Sequence, residues 1–141
     1  MINHLNSLLI EGVMVNNPEV VAHVKKDPEV KLVKFTIAND YYYVGTDGSK
    51  KKDTLFLTVQ TWGGLADRCL VQMSKGMTVR VVGKLKMRTW ETEGGEKRSV
   101  IELVAKHIEY RKSKKSKVEV LEVTEEEEET VVSESEVFYV I

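Results

Sequence analysis

The stretch Gly83-Lys-Leu-Lys-Met-Arg-Thr-Trp-Glu-Thr-Glu-Gly-Gly-Glu-Lys-Arg98 alternates over its first half in the manner of a β-strand. Leu85 and Met87 share one face, because successive side chains of a strand point to opposite sides. The other face carries three cations and one indole, from Lys84, Lys86, Arg88 and Trp90. Gly94-Gly95 favours a turn, after which Lys97 and Arg98 begin a returning strand. We therefore predict a hairpin with an apolar side that packs a core and a basic side that faces solvent.

Further strands and one helix are predicted around this hairpin. Apolar patterning predicts strands at residues 5–15, 30–38, 54–60, 77–88 and 99–110. An apolar stripe at helical spacing predicts a short helix at residues 65–73, which Gly76 ends. Residues 39–53, with Asp47-Gly48 among them, are a long loop or a projecting hairpin. Five strands with one helix between the third and the fourth are typical of an all-β, five-stranded Greek-key barrel, the OB-fold.

Charge is distributed unevenly along the chain, although the net charge of all 141 residues is only −1. Residues 1–117 hold all 21 Lys and Arg and 13 acidic residues, giving +8, whereas residues 118–141 hold 9 acidic residues and no basic one, giving −9. The basic part indicates a polyanionic partner, and the acidic part is either an interaction segment or an internal competitor for the same surface. A run of glutamates resists compact folding. We therefore predict a domain over residues 1–111 and a flexible, basic-then-acidic tail over residues 112–141.

Aromatic side chains lie on the polar faces of two predicted strands. In residues 54–60, Leu55, Leu57 and Val59 share one face, and Phe56 shares the other with Trp62, which follows the strand. Together with Trp90 these rings form a surface on which bases of single-stranded nucleic acid can stack, and cations beside them can contact phosphates. The cations are Lys50, Lys51, Lys52, Lys84, Lys86, Arg88, Lys97 and Arg98. The alternative is that Phe56 and Trp62 belong to the core and that the strand register is misassigned.

The residue pattern indicates neither catalysis nor a metal or organic cofactor. His4, His23 and His107 are scattered and have no carboxylate or cysteine at ligand spacing. Cys69 lies on the apolar helix stripe and is interpreted as a small core residue. No apolar run approaches the roughly 20 residues that span a membrane. We expect a cytoplasmic, bacterial-type protein.

Three blocks of the sequence resemble the bacterial single-stranded DNA-binding proteins. They are Leu9-Ile-Glu-Gly-Val with Asn17-Pro-Glu19, Asp53-Thr-Leu-Phe56 with Trp62-Gly-Gly-Leu-Ala-Asp67, and Gly83-Lys-Leu-Lys-Met-Arg-Thr-Trp90. They follow one another in the family's order over residues 3–111. The resemblance implies a homotetramer of OB-folds, with a dimer as the alternative, that binds and protects single-stranded DNA in replication, recombination and repair.

The resemblance also implies roles for particular residues. The family's stacking rings fall on Phe56, Trp62 and Trp90, and a fourth falls on Tyr43, with Tyr41 as the alternative. The family's basic contacts fall on Lys75, Lys86 and Arg88. An OB-fold module that binds RNA, such as a primosome-type paralogue, or one that only binds proteins is the alternative function.

The tail departs from the family's pattern. The family's linker is long and rich in Gly, Pro and Gln, and its tail ends in acidic residues followed by Pro-Phe, whereas this chain ends in Ser-Glu-Val-Phe-Tyr-Val-Ile. An acidic run before an apolar terminus keeps the family's physical pattern. Docking of replication and repair proteins on Phe138, Tyr139, Val140 and Ile141 is therefore a hypothesis.

Overall fold

The computed structural model describes residues 1–25, 29–112 and 137–141. It has strands β1 (Leu8–Met14), β2 (Glu19–Val24), β3 (Val30–Val44), β4 (Lys50–Trp62), β5 (Thr78–Glu91), β6 (Lys97–Arg111) and β7 (Tyr139–Val140). One helix, α1 (Gly63–Gln72), lies between β4 and β5.

The strands close into the predicted barrel. They follow the order β1-β5-β6-β4-β3-β2, and β1 pairs with β3 as well as with β5. All of these pairs are antiparallel except β4 with β6, in which Val59 lies opposite Leu103. Strands β1, β3, β4, β6 and β5 therefore form a ring, and the predicted OB-fold is confirmed.

The core follows from alternation along the strands. Val33, Phe35 and Ile37 are buried and face inward from β3. Cys69 of α1 packs against the same core, as expected. Its burial raises the pKa of the thiol to about 11, so the thiol stays protonated and a poor nucleophile near neutral pH.

Three strands differ from the sequence prediction. Strand β2 was not predicted, because its side chains show no apolar alternation. Val20 and Val21 are both exposed, and within the part of the chain that the structure describes the strand pairs only with β3. Strands β3 and β4 run much further than predicted, so residues 39–53 form a projecting hairpin and not a loop. Gly48 has φ 80 in its turn, a conformation that suits glycine.

The apolar side of the hairpin in residues 83–98 does not pack the core, contrary to our prediction. Leu85 is 38% exposed and Met87 is 62% exposed. The register of β5 and β6 shifts between Val82 and Gly83, where the sequence predicted a bend. At Gly83 a Cβ would lie 2.0 Å from the carbonyl oxygen of Val104, so only glycine fits this close approach. Beyond it the hairpin extends past the barrel, and both of its faces are accessible.

The last residues return to the barrel. Tyr139 lies opposite Tyr110, and Val140 lies opposite Glu109, which makes β7 an antiparallel partner of β6. A valine- and aromatic-rich segment thus forms a short strand where a free sheet edge is offered. The flexible tail over residues 112–141 stays a prediction. The acidic run and the predicted flexibility of residues 113–136 lie outside the described residues.

Candidate nucleic-acid interface

The first half of the candidate interface is the outer face of the β3–β4 hairpin. Ala38 lies opposite Phe56, Lys34 opposite Gln60, and Leu32 opposite Trp62. Residues opposite one another point to the same face, so Phe56 and Trp62 share a surface with Lys34. Phe56 is 64% exposed and Trp62 is 40% exposed. Neither ring belongs to the core, and the alternative that placed them there is excluded.

The second half is the basic side of the β5–β6 hairpin. Trp90 lies opposite Arg98, and Lys86 lies opposite Glu102. The Trp90 ring is 40% exposed. The Cζ atom of Arg88 lies 4.6 Å from the centre of that ring, within the distance at which a cation interacts favourably with an aromatic face. The ring and the guanidinium are thereby held together at the surface.

A buried carboxylate joins the two halves. Glu102 is only 2% exposed. Its Oε1 accepts from the Nε of Arg88 at 2.8 Å, and its Oε2 accepts from the Nζ of Lys34 at 2.9 Å and from the Nε2 of Gln60 at 2.5 Å. Since Lys34 and Gln60 come from the β3–β4 hairpin and Arg88 from β5, Glu102 fixes one hairpin against the other. The two faces form one continuous surface.

Glu102 remains ionised over the ordinary pH range. Burial alone raises the pKa of this carboxyl group, but the hydrogen bonds from Arg88, Lys34 and Gln60 outweigh burial and lower the pKa to about 2. The negative charge offsets part of the positive charge of Lys34 and Arg88. The remaining cations of the surface therefore contribute most of its attraction for a polyanion.

The structure distributes the predicted basic residues over three places. Cross-strand pairing places six of them on the surface that carries Phe56 or Trp90: Lys50, Lys52, Lys84, Lys86, Arg88 and Arg98. Lys51 and Lys97 point to the opposite faces of their hairpins. Lys75 lies between α1 and β5, where its backbone N–H donates to Oδ1 of Asn17 at 2.8 Å. Contacts of these side chains with phosphates stay a prediction.

The tyrosines of the β3–β4 hairpin divide between its faces. Tyr41 and Tyr43 stack on each other with ring centres 6.1 Å apart, and they point away from the face of Phe56. Tyr42, which is 70% exposed, lies opposite Lys52 and shares the face of Phe56. The structure therefore does not bring Tyr43 together with the other predicted stacking rings, and it brings Tyr42 there instead.

Sequence reasoning missed Lys34, Gln60, Glu102 and Tyr42. The alternation of residues 54–60 already placed Gln60 on the face of Phe56, but which strand would cover it was not known. Lys34 and Tyr42 required the pairing of β3 with β4 in a hairpin longer than predicted. A glutamate in a strand gives no sign that it will be buried, because that depends on three partners distant in sequence.

Metal binding and membrane spanning find no support among the described residues. Within residues 1–25, 29–112 and 137–141, no group of three or more His, Cys, Asp or Glu side chains is arranged to hold a metal ion. No helix in the same ranges is long and apolar enough to cross a membrane.

A closed OB-fold barrel with exposed rings and cations on one face is typical of the class of proteins that bind single-stranded nucleic acid. Residues 5–111 match the model of the single-strand binding protein family. A single-stranded DNA-binding protein of Thermotoga maritima is 31% identical over 131 residues, which cover 93% of this chain and 88% of the relative. The chain belongs to the single-strand binding protein family.

Another relative is matched over a smaller part of the chain. The single-stranded DNA-binding protein of Corynebacterium glutamicum is 37% identical over 101 residues, which are 65% of this chain and 45% of that relative. The chain thus spans about half the length of that relative.

Solved structures support the fold. A Plasmodium falciparum SSB complex with ssDNA superimposes with a TM-score of 0.65 at 18% identity and covers 75% of this chain and 90% of that chain. A deletion mutant of the single-stranded DNA binding protein from Thermus aquaticus gives a TM-score of 0.63 at 19% identity, covering 78% of this chain and 52% of that one.

Proposed function

We propose that this protein binds and protects single-stranded DNA without sequence preference, in replication, recombination and repair. The observation that carries the proposal is the shared surface of Phe56, Trp62 and Trp90, whose rings are exposed and lie among cations. Large exposed aromatic residues are costly in water unless a partner covers them. Every base has an aromatic face, so stacking on these rings does not select the base.

The division of labour on the surface follows from its chemistry. Phe56, Trp62 and Trp90 stack bases, each stack contributing roughly 1–3 kcal/mol to binding. Lys86 and the other cations of the same surface contact phosphates and release counterions. Arg88 mainly positions Trp90, because Glu102 already holds its Nε. The protein acts by binding, and catalysis is not part of the proposal.

A fluorescence titration with oligo-dT tests the proposal directly. Stacking of a base on Trp62 or Trp90 quenches indole emission, so we expect strong, saturable quenching. Phe56→Ala should weaken binding by about 5- to 150-fold, which corresponds to roughly 1–3 kcal/mol. Leu55→Ala is the matched control, since Leu55 directly precedes Phe56 in β4, is 53% exposed and points to the other face.

Two results of that titration would reject the proposal. Unchanged fluorescence at saturating oligo-dT would favour the alternative of a protein-interaction module. Equal effects of Phe56→Ala and Leu55→Ala would mean that the face of Phe56 is not the one that binds. Preference for RNA over DNA is a separate question, and filter binding of matched DNA and RNA oligonucleotides at one salt concentration answers it.

Self-association into a homotetramer is part of the proposal, with a dimer as the alternative. Strand β1 pairs with β5 along its length but with β3 only at Val13 and Met14, so no strand of the described residues pairs with its second edge from Leu8 to Gly12. Leu9, Met87 and Ile101 are 70%, 62% and 49% exposed. Unpaired edges and exposed apolar residues are the features that subunit contacts cover. Sedimentation equilibrium measures the mass.

The proposed cellular location rests on membership of the single-strand binding protein family. We expect the protein to act in the bacterial cytoplasm at the nucleoid, where single-stranded DNA arises. Docking of replication and repair proteins on Phe138, Tyr139, Val140 and Ile141 stays a prediction, and it requires that these residues leave β6, with which β7 is paired.

A further inference from the structure

The C-terminal segment occupies a defined site on the barrel. The N–H of Ile141 donates to the carbonyl oxygen of Ile108 at 3.0 Å, and Tyr139 and Ile141 pack against the core. Val140, between them, is 64% exposed. Alternate side chains of the segment are thus recognised by the barrel, as when a peptide adds a strand to a sheet edge.

Phe138 has a site of its own beside this strand. The Cζ of Arg80 lies 3.9 Å from the centre of the Phe138 ring, and the Cζ of Arg111 lies 5.4 Å from it. The Nε of Arg80 is held by Oε2 of Glu11 at 2.7 Å, so the guanidinium is fixed in place before the ring arrives. Two guanidinium groups beside one ring favour an aromatic residue at this position of the ligand.

Tyr139 completes the recognition. Its ring stacks on the ring of Tyr110 with centres 5.4 Å apart. Tyr110 is 8% exposed, and its hydroxyl donates to Oε1 of Gln72 at 3.3 Å, so α1 fixes the surface on which Tyr139 lies. The site therefore contains contributions from β5, β6 and α1, and it does not consist of a bare sheet edge.

We propose that the end of β6 is a peptide-binding site, bounded by Arg80, Tyr110 and Arg111, for an extended carboxyl-terminal segment with adjacent aromatic residues. The chain's own residues Phe138–Ile141 fill it in cis. The site is additional to single-stranded DNA binding and does not depend on it. Because the side chains of Phe138, Tyr139 and Ile141 cannot contact the barrel and a partner protein together, docking of a partner on the terminus competes with this site.

The site lies away from the part of the candidate nucleic-acid interface that carries Trp90. From Arg98, opposite Trp90, to Tyr110 the strand rises by about 3.3 Å per residue, which is roughly 40 Å along β6. Lys112 and Val137, which flank residues 113–136, consequently both lie at this end of the barrel.

A designed disulfide tests whether the terminus is held in cis. The hydrogen bond from Ile141 to Ile108 makes these two residues a hydrogen-bonded pair of the antiparallel ladder. Hydrogen-bonded and non-hydrogen-bonded pairs alternate, so the adjacent pair of Glu109 and Val140 is a non-hydrogen-bonded one. Such pairs have Cα atoms about 4.5 Å apart, and disulfides accept about 4.4–6.8 Å. In the full chain, Glu109→Cys with Val140→Cys should form a disulfide within one chain under mild oxidation. Glu109→Cys with Val137→Cys is the control and should form none, because Val137 is not opposite residue 109.

Each outcome decides the proposal. A disulfide within one chain, seen as a monomer of altered mobility on a non-reducing gel, supports it. A disulfide between two chains means that the site takes the terminus of a second copy, and failure to form any disulfide means that the site is empty. Either result overturns binding in cis. Oligo-dT titration of the same variant reports separately on DNA binding, so the two proposals fail independently.

Hydrogen exchange gives a second measurement on the unmodified chain. The Ile141 amide should exchange at least tenfold more slowly than an unstructured amide, since it is hydrogen-bonded to Ile108. Phe138→Ala should remove most of this protection, whereas Val140→Ala should not, because Val140 points to solvent. Unprotected exchange at Ile141 in the unmodified chain contradicts the proposal whatever the disulfide variants do.

Discussion

Two arginines of β5, eight residues apart, make the same pair of contacts at the two ends of the strand. Arg88 is held through Nε by Glu102 and lies over Trp90; Arg80 is held through Nε by Glu11 and lies over Phe138. They differ in what covers the ring. Trp90 is left accessible, whereas Phe138 is brought by the chain itself. The same unit of carboxylate, guanidinium and ring thus serves as an open surface at one end and as a filled site at the other.

The two carboxylates also differ in burial, and this changes their energetic weight. Glu102 is 2% exposed and has three donors, whereas the side chain of Glu11 is 45% exposed. A buried charge is stabilised by its ion-pair partners, and removing one member of a buried pair leaves the other charge uncompensated. An exposed pair loses little when it is broken, because water replaces the partner. Glu102 is therefore a structural element of the candidate nucleic-acid interface, and Glu11 is a minor support for Arg80.

Glu102→Gln is expected to have the largest effect. Removing the carboxylate charge leaves Lys34 without its counterion, and the side chain of Lys34 is only 18% exposed. Breaking a buried pair costs about 3–5 kcal/mol, and we expect about 3 kcal/mol because Arg88 is half-exposed. Glu11→Gln should lower the free energy of unfolding by no more than about 1 kcal/mol. Urea denaturation measures both, and equal losses would remove the distinction between the two sites.

The charge of Glu102 also predicts a dependence of stability on pH. The pKa of Glu102 in the folded protein is about 2, below the ordinary value of 4.5. A lowered pKa contributes stability above the ordinary value, and this contribution is lost as the pH falls from about 4.5 towards 2. Urea denaturation across this range should show a smaller loss of stability in Glu102→Gln than in the unmodified protein. An identical decline in both would show that other carboxyl groups dominate.

Trp90→Ala is expected to have the next largest effect, on the affinity for oligo-dT. Its ring is accessible for a base, so binding should weaken by roughly 1–3 kcal/mol, a stacking-sized amount. The dependence of affinity on salt should hardly change, because no charge is removed. Phe138→Ala is the matched change at the other end of β5 and should leave the affinity for oligo-dT within about twofold. A similar loss in both variants would contradict the separation of the two ends.

These features were predictable from the sequence to different degrees. The alternation around Phe56 and around Trp90 was sufficient to place both rings on polar faces, because alternation is local and needs no knowledge of the partner strand. The role of Glu102 was not predictable, since its burial comes from Lys34, Gln60 and Arg88, three partners that only the closed barrel assembles. The filled site of Phe138 was missed for the same reason. A tail read in isolation shows no sign of the sheet edge that receives it.

The choice between Tyr42 and Tyr43 gives a smaller effect and tests the register of the hairpin. Resemblance to the family placed the fourth stacking ring on Tyr43, whereas strand pairing places Tyr42 on the face of Phe56. We expect Tyr42→Ala to weaken oligo-dT binding by up to about 1 kcal/mol, at the low end of the stacking range because the ring lies near the hairpin tip. Tyr43→Ala should have less effect. The reverse ranking would mean that the hairpin twists or rearranges when it binds DNA.

The smallest effect is expected for single lysines, and it appears in the salt dependence more than in the affinity. Lys86 shares the face of Trp90, whereas Lys97 lies opposite Glu91 on the other face of the same hairpin. Each phosphate contact contributes about 0.7 to the slope of log affinity against log salt for a single strand. Lys86→Ala should therefore lower the slope by about 0.7, and Lys97→Ala should leave it nearly unchanged. Affinities measured between about 50 and 200 mM salt resolve the difference. Equal slopes in the two variants would mean that DNA contacts both faces of the hairpin, so that the open surface at this end of β5 would be larger than the one bounded by Phe56, Trp62 and Trp90.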